Sequence, residues 1–204
     1  MSVSRETHDR LQAYVGLLKS WNRRINLVGR NTIGDVWRRH ILDSAQLFNL
    51  IPQQARILVD LGSGAGLPGL ILAIMGVPQV HLIESDGRKI SFLREALRVT
   101  ETQAVIHPTR IDRVLPFAAD VITARALAPL PQLLLLSEHF RGPNTKSLFL
   151  KGRMVEDELT EARKTWHMQI YCQPSLTDPS GSILRLEAIA YDPNAARPSQ
   201  STRG

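Results

Sequence analysis

The sequence predicts an α/β fold: a mostly parallel sheet with helices on both faces, an antiparallel C-terminal strand, and helices ahead of it. Three observations predict it. Short apolar runs alternate with amphipathic helical stretches from about residue 56 to residue 165. The first apolar run ends in a glycine-dense turn, Gly62-Ser63-Gly64-Ala65-Gly66-Leu67-Pro68-Gly69, that opens a helix. The last two strand-like runs, 168–172 and 183–189, have no helical stretch between them and so pair antiparallel.

Each element has its own signal. Leu11, Tyr14, Val15, Leu17 and Leu18 recur at helical spacing within residues 5–20. Residues 21–30 are mixed and polar, a helix end and a loop. Val36, Trp37, Ile41, Leu42, Ala45, Leu47, Phe48 and Leu50 give residues 35–50 a broad apolar face, which predicts one further helix. Strands follow at 56–60, 80–84, 104–107, 121–124 and 147–150. Helices fall between them at 67–75, 88–100, 130–140 and 154–165. Residues 1–55 read as a helical extension packed on a core of 56–191. The Pro-, Ser- and Arg-rich stretch 192–204 reads as a disordered tail.

Composition narrows the function. At 43% hydrophobic residues the chain has ample material for a core. A single cysteine, Cys172, excludes an intramolecular disulfide and a cysteine-cluster metal site, and favours a cytoplasmic setting. No apolar run is long enough to span a bilayer. The formal net charge is +6, and the first 50 residues carry eight Lys/Arg against four acids. A basic segment beside a nucleotide-type fold suits a polyanionic partner; a solvated helix face explains the same charge.

Two cofactors compete for the turn. Gly64-Ala65-Gly66-Leu67-Pro68-Gly69 satisfies the dinucleotide pattern G-x-G-x-x-G, and Glu84 ends the next strand where a ribose-binding acid belongs. S-adenosylmethionine needs the same ribose acid but carries no pyrophosphate. Its α-ammonium suits an acid beside the turn, such as Asp60, directly or through water. Leu67 and Pro68 crowd the helix start where a pyrophosphate would sit, and the paired C-terminal strands suit a methyltransferase sheet. S-adenosylmethionine is therefore favoured, with Asp60, Ser63, Gly64, Gly66 and Glu84 as candidate contacts. After the third strand, Asp112 either meets the adenine amino group or caps a helix. The fourth strand ends in Arg125, and the Lys151-Gly152-Arg153 turn adds positive charge to the same edge.

Together these segments resemble the bacterial small-subunit ribosomal RNA guanine-N7 methyltransferases, the glucose-inhibited division protein B family. The resemblance covers roughly residues 10–190. It is carried by Trp21-Asn22-Arg23-Arg24-Ile25-Asn26-Leu27-Val28, Arg39-His40-Ile41-Leu42-Asp43-Ser44, Asp60 to Gly69, Arg125-Ala126 and Leu150-Lys151-Gly152. The chain departs from the family at Asp112, commonly Glu, and at Val28, commonly Thr.

The resemblance implies a Rossmann-like class I S-adenosylmethionine-dependent methyltransferase fold. It places cofactor contacts on Gly62, Leu67, Ile111, Asp112 and Arg125. The implied reaction is methylation of N7 on one guanine of 16S ribosomal RNA. That nitrogen carries a lone pair and no proton, so no general base, nucleophile or metal is expected. Arg125 would hold the methionine carboxylate or donate to guanine O6; a bidentate grip on O6 and N7 would block the acceptor.

Arg23, Arg24, Arg38, Arg39 and His40 become candidate RNA contacts, joined by Lys151 and Arg153. Trp21 and Trp37 are expected in the core, and Asp43 is expected to order His40 or Arg39. The expected partner is the small ribosomal subunit, met by a monomer, with no membrane. An NAD(P) oxidoreductase is the rival, but no Tyr-x-x-x-Lys or comparable proton donor is apparent. An RNA-binding module without catalysis is a second rival, and the intact glycine turn and Glu84 speak against it.

Overall fold

The computed structural model describes residues 3–195. Its seven strands form one sheet in the order β3-β2-β1-β4-β5-β7-β6. They are β1 (Ile57–Leu61), β2 (Gln79–Ile83), β3 (Val105–His107), β4 (Ala119–Arg125), β5 (Arg141–Lys151), β6 (Trp166–Pro174) and β7 (Ser182–Tyr191). The strands β1 to β5 pair parallel, and β7 runs antiparallel between β5 and β6. The predicted fold class and the antiparallel C-terminal pairing are as observed.

The strand order reverses between β1 and β4, which lie side by side with Leu61 opposite Ala124. Open α/β sheets bind ligands at such a reversal, beyond the carboxyl ends of the two strands. Here those ends lead into Gly62 and Arg125, so the topology sets the glycine turn beside the arginine.

Among the described residues there are six α-helices: α1 (Arg5–Trp21), α2 (Asp43–Ala45), α3 (Gly69–Ile74), α4 (Gly87–Val99), α5 (Leu130–Ser137) and α6 (Val155–Ala162). Leu11, Tyr14, Val15 and Leu18 of α1 share one hydrophobic cluster with Leu70 and Ile71 of α3 and with Phe92 and Leu93 of α4. Leu130, Leu133 and Leu134 of α5 pack with Leu159 of α6 on the opposite face, around Phe140, Phe149 and Trp166. Ser4 caps α1 through its side chain, and Asp86 caps α4.

The stretch 35–50 is not the single helix its apolar spacing predicts. It breaks into short 3-10 turns at Ile33–Asp35 and Phe48–Leu50, a π-helical turn at Trp37–Leu42, and the three-residue α2. Periodicity reports which positions are buried, not which carbonyl each N–H reaches. In the wider turn the Asp43 N–H reaches back to the Arg38 and His40 carbonyls. Such turns often occur at functional sites.

The tail expected from Asp192 lies outside the described residues from 196 onward. Of its beginning, Asp192 N–H donates to the Thr165 carbonyl (2.9 Å) and the Tyr191 hydroxyl donates to the Ala195 carbonyl (2.6 Å).

Candidate active site

The glycine turn is fixed from three directions. The Ser63 N–H donates to the Ile83 carbonyl at the end of β2 (2.9 Å), and Gly64 N–H donates to Glu84 Oε2 (2.8 Å). From α1, the buried Tyr14 hydroxyl donates to the Ala65 carbonyl (2.8 Å); burial pushes that phenol up. Tyr14 reads in sequence only as one position of an apolar face, so its hold on the turn was not visible there. Gly62 has a positive φ of 63°, and a Cβ there would stand 2.5 Å from Leu127 Cδ1. The side chain of Leu67 is buried in the core, and its N–H donates to the Ser63 carbonyl (3.1 Å).

Asp60 lies beneath the turn, fully buried. Its Oδ1 accepts from the Thr123 hydroxyl (2.8 Å), while Oδ2 has no hydrogen-bond partner. Burial pushes the carboxyl up to about 6, against the pull of the Thr123 and Ser63 side chains. A Cβ on Gly69 would stand 2.8 Å from Oδ2, so only glycine lets the start of α3 pass this close.

Glu84 is 8% exposed. Besides the Gly64 N–H on Oε2, its Oε1 accepts from Ser85 and Asp86 N–H (both 2.8 Å). A carboxylate has about four acceptor positions; three are filled by backbone, and one remains open. Ile111 and Asp112 lie in a 3-10 turn, Ile111–Arg113, beyond β3. Asp112 caps nothing; it is exposed and accepts from Arg110 Nε (3.3 Å).

Leu127 also lines a cavity of about 620 Å³. Its walls come from the loop 27–29, the π-helical turn, the carboxyl ends of β4 and β5, helix α6 and the β6–β7 loop. Arg125 enters it from the end of β4. Its Nη1 donates to Asp43 Oδ2 (3.1 Å) and to the Arg39 carbonyl (3.2 Å), and its Nη2 stands 3.1 Å from His40 Nδ1. Arginine can only donate, so His40 Nδ1 is the acceptor and the ring proton sits on Nε2, 2.8 Å from the Thr32 hydroxyl. Burial and the nearby Arg125 charge hold His40 down to about 4, so it stays neutral.

Asp43 orders neither His40 nor Arg39 by hydrogen bond, contrary to the expectation from sequence. Its Oδ2 takes Arg125, and its Oδ1 accepts from Thr177, Ser175 and Gln46. Arg39 instead pairs with Asp178 (3.0 Å). The β6–β7 loop thus closes over the N-terminal segment. Ser175, Thr177 and Asp178 carry no motif, and nothing local in the sequence marks them.

The candidate RNA residues separate into two groups. Arg39, His40 and Lys151 line the cavity and are engaged inside it, whereas Arg23, Arg24, Arg38 and Arg153 are exposed. Trp21 is half-buried and meets Phe92 edge-on (5.7 Å). Trp37 departs from the expected core position: it is 40% exposed and stacks on His8 (5.7 Å). Among the described residues no helix is long and apolar enough to cross a membrane, and no group of three or more His, Cys, Asp or Glu could hold a metal ion.

The fold is shared with solved methyltransferases of low sequence identity. The chain is similar to a structure of M. jannaschii TYW2 in complex with AdoMet, with a TM-score of 0.59 and 13% identity, covering 82% of this chain and 78% of that one. It is also similar to ribosomal protein L11 methylase from Lactobacillus delbrueckii subsp. bulgaricus, with a TM-score of 0.58 and 13% identity, covering 74% and 77%.

Sequence relatives are far closer. Ribosomal RNA small subunit methyltransferase G of Rhodospirillum centenum is 58% identical over 188 residues, covering 92% of this chain and 87% of that protein. The protein of the same name from Rhodospirillum rubrum is 54% identical over 187 residues, covering 92% and 93%. A family model described as rRNA small subunit methyltransferase G matches residues 7–181. This agreement along the chain establishes that the protein belongs to the rRNA small subunit methyltransferase G (GidB) family.

Proposed function

We propose that this chain transfers a methyl group from S-adenosylmethionine to N7 of one guanine in 16S ribosomal RNA of the small subunit. The observation that carries this reading is the shared wall at Leu127. Leu127 packs on Gly62 of the cofactor turn and also lines the cavity entered by Arg125. A donor held at the turn and a base in the cavity would then meet at Leu127.

The residues fit the cofactor. The turn is open where a Cβ at Gly64 would meet only the Gly62 carbonyl at 3.9 Å, Glu84 keeps one acceptor position, and Asp60 Oδ2 is a buried, unpartnered acceptor. When bound, S-adenosylmethionine supplies an electrophilic methyl carbon. Guanine N7 has no proton to lose, so this chain's task is placement. In-line approach at about 3 Å is itself a large part of the barrier reduction. Glu84 holds the ribose end, with Ile111 and Asp112 bordering the adenine. Arg125 has three of its N–H contacts filled, and two N–H groups remain for the methionine carboxylate or guanine O6. The exposed Arg23, Arg24, Arg38 and Arg153 bind RNA phosphates. The enzyme works as a cytoplasmic monomer on the small subunit.

Purified chain incubated with methyl-labelled cofactor and small-subunit RNA, free or assembled, tests the reading. Nucleoside mass mapping is expected to find 7-methylguanosine at one position. Saturable retention of NADH with no uptake of the methyl donor would overturn it.

A further inference from the structure

The cavity holds an ion pair that positioning alone does not use. Lys151, at the end of β5, has its ammonium 2.5 Å from Glu158 Oε2 of α6. Both groups are held in place: Lys151 also donates to the Ala128 carbonyl (3.0 Å), and Glu158 Oε2 also accepts from Leu130 N–H (2.7 Å) at the start of α5. Both residues line the cavity, and the Lys151 side chain is only 8% exposed. Capacity remains on each. An ammonium has three protons, and two are engaged. Glu158 Oε1 has no hydrogen bond among the described residues. The cavity therefore presents one fixed cationic donor beside one fixed anionic acceptor.

That pairing has a purine counterpart. Along its Watson–Crick edge guanine presents O6, an acceptor, next to the N1–H and N2–H donors. Adenine presents the reverse, an amino donor next to a bare N1. An ammonium at O6 and a carboxylate at N1–H and N2–H satisfy guanine. The same two groups would set donor against donor and lone pair against lone pair with adenine. Carboxylates accept from base amino groups, and lysine donates to O6, in nucleic-acid recognition generally. N7 lies toward the other edge of the ring, free for the methyl group.

We propose that Lys151 and Glu158 are the specificity pair of this enzyme, reading guanine O6 and the N1–H/N2–H edge and rejecting adenine. This rests on the guanine N7 reading above. It gives Lys151 a base-edge role in place of a phosphate contact and leaves Arg125 for the cofactor carboxylate.

The test uses small-subunit RNA carrying guanosine, inosine or 2-aminopurine riboside at the methylated position. Inosine lacks the 2-amino group and 2-aminopurine lacks O6 and N1–H, but all three keep N7. The wild type is expected to lose about 10–100-fold in kcat/KM with each analogue, the range for a lost hydrogen bond to a charged group. Glu158→Gln preserves the side-chain shape and an acceptor for Leu130. It is expected to bind cofactor normally, methylate guanosine more slowly and separate guanosine from inosine by less than about threefold.

A wild type that takes all three bases alike overturns the pair's role. So does a folded Glu158→Gln with undiminished discrimination. Should the variant fail to melt cooperatively, the analogue series on the wild type decides by itself. A wild type that methylates no guanosine at all instead overturns the function proposed above.

Discussion

The Arg125 guanidinium and the Asp43 carboxylate, 82 residues apart in sequence, form an ion pair of 3.1 Å with both side chains largely buried. Asp43 is thereby the junction of three segments, since its other oxygen accepts from Gln46, Ser175 and Thr177. Asp43→Ala takes the carboxylate from the largely buried arginine and one acceptor from three further donors. Breaking one partner of such a pair costs about 3–5 kcal/mol, and urea unfolding is expected to show a loss of this order. Asp43→Asn, which keeps acceptors on the same frame, is expected to lose less.

Arg125→Ala leaves Asp43 paired with its other partners but removes the donor aimed into the cavity. Turnover is expected to fall at least about tenfold, as a lost charged hydrogen bond would produce, with weaker cofactor binding by calorimetry. Wild-type kinetics in this variant would remove Arg125 from the site.

Gly69→Ala drives a methyl group to 2.6 Å from Asp60 Cβ and 2.7 Å from Leu82 Cδ2. Overpacking of this kind costs about 1–3 kcal/mol, or roughly 2–12 °C in Tm for a chain this size. Gly87→Ala, where a Cβ meets nothing within 4 Å, is the matched control and is expected to melt close to the wild type.

Stability should carry two opposing pH slopes. His40 is held down to about 4 from 6.5, so the unfolded chain takes up a proton below 6.5 that the native chain refuses. Its contribution is lost as pH falls through that window. Asp60 is pushed up to about 6 from 3.8, so the native chain keeps a proton that the unfolded chain has released. Its contribution is lost as pH rises from 3.8 to 6. Each slope amounts to roughly 3 kcal/mol at most, at 1.36 kcal/mol per pKa unit. In urea titrations from pH 4 to pH 7, Asp60→Asn is expected to gain on the wild type as pH rises, and His40→Asn to lose. Curves parallel to the wild type would contradict both assignments.

RNA affinity should fall steeply with salt, because each neutralised phosphate releases counterion. Removing Arg23 and Arg24 together is expected to flatten the log–log salt slope by roughly one to two, measured by filter binding to small-subunit RNA. The wild type and the double variant having the same slope would take these two arginines off the RNA path.

Much of the fold was legible because an α/β chain writes its periods openly. The strands 56–60 and 80–84 expected from alternation lie within one residue of β1 and β2 at each end, and 88–100 within one residue of α4. The glycine turn and Glu84 were equally plain, since tight backbone approach needs particular residues at particular spacings. The stretch 35–50 was misread because burial period cannot distinguish an α-helix from a π-helical turn. Trp37 was misread for a related reason: a tryptophan in an apolar run looks buried until its face is known. Asp43 failed as a reading of near neighbours because its strongest partners, Arg125 and Thr177, are 82 and 134 residues away. Glu158 was passed over as one acid among several in a charged helix.

The clasp between the N-terminal segment and the β6–β7 loop joins residues as far apart as Arg39 and Asp178, 139 positions along the chain. Contacts of such separation form late, after the entropy of closing long loops has been met. On the function proposed above, a refolding molecule would therefore own its nucleoside shelf at β1 and β2 before it owns a room for the base. Competence to load the donor and competence to accept the nucleic acid would arrive as two separate events in time.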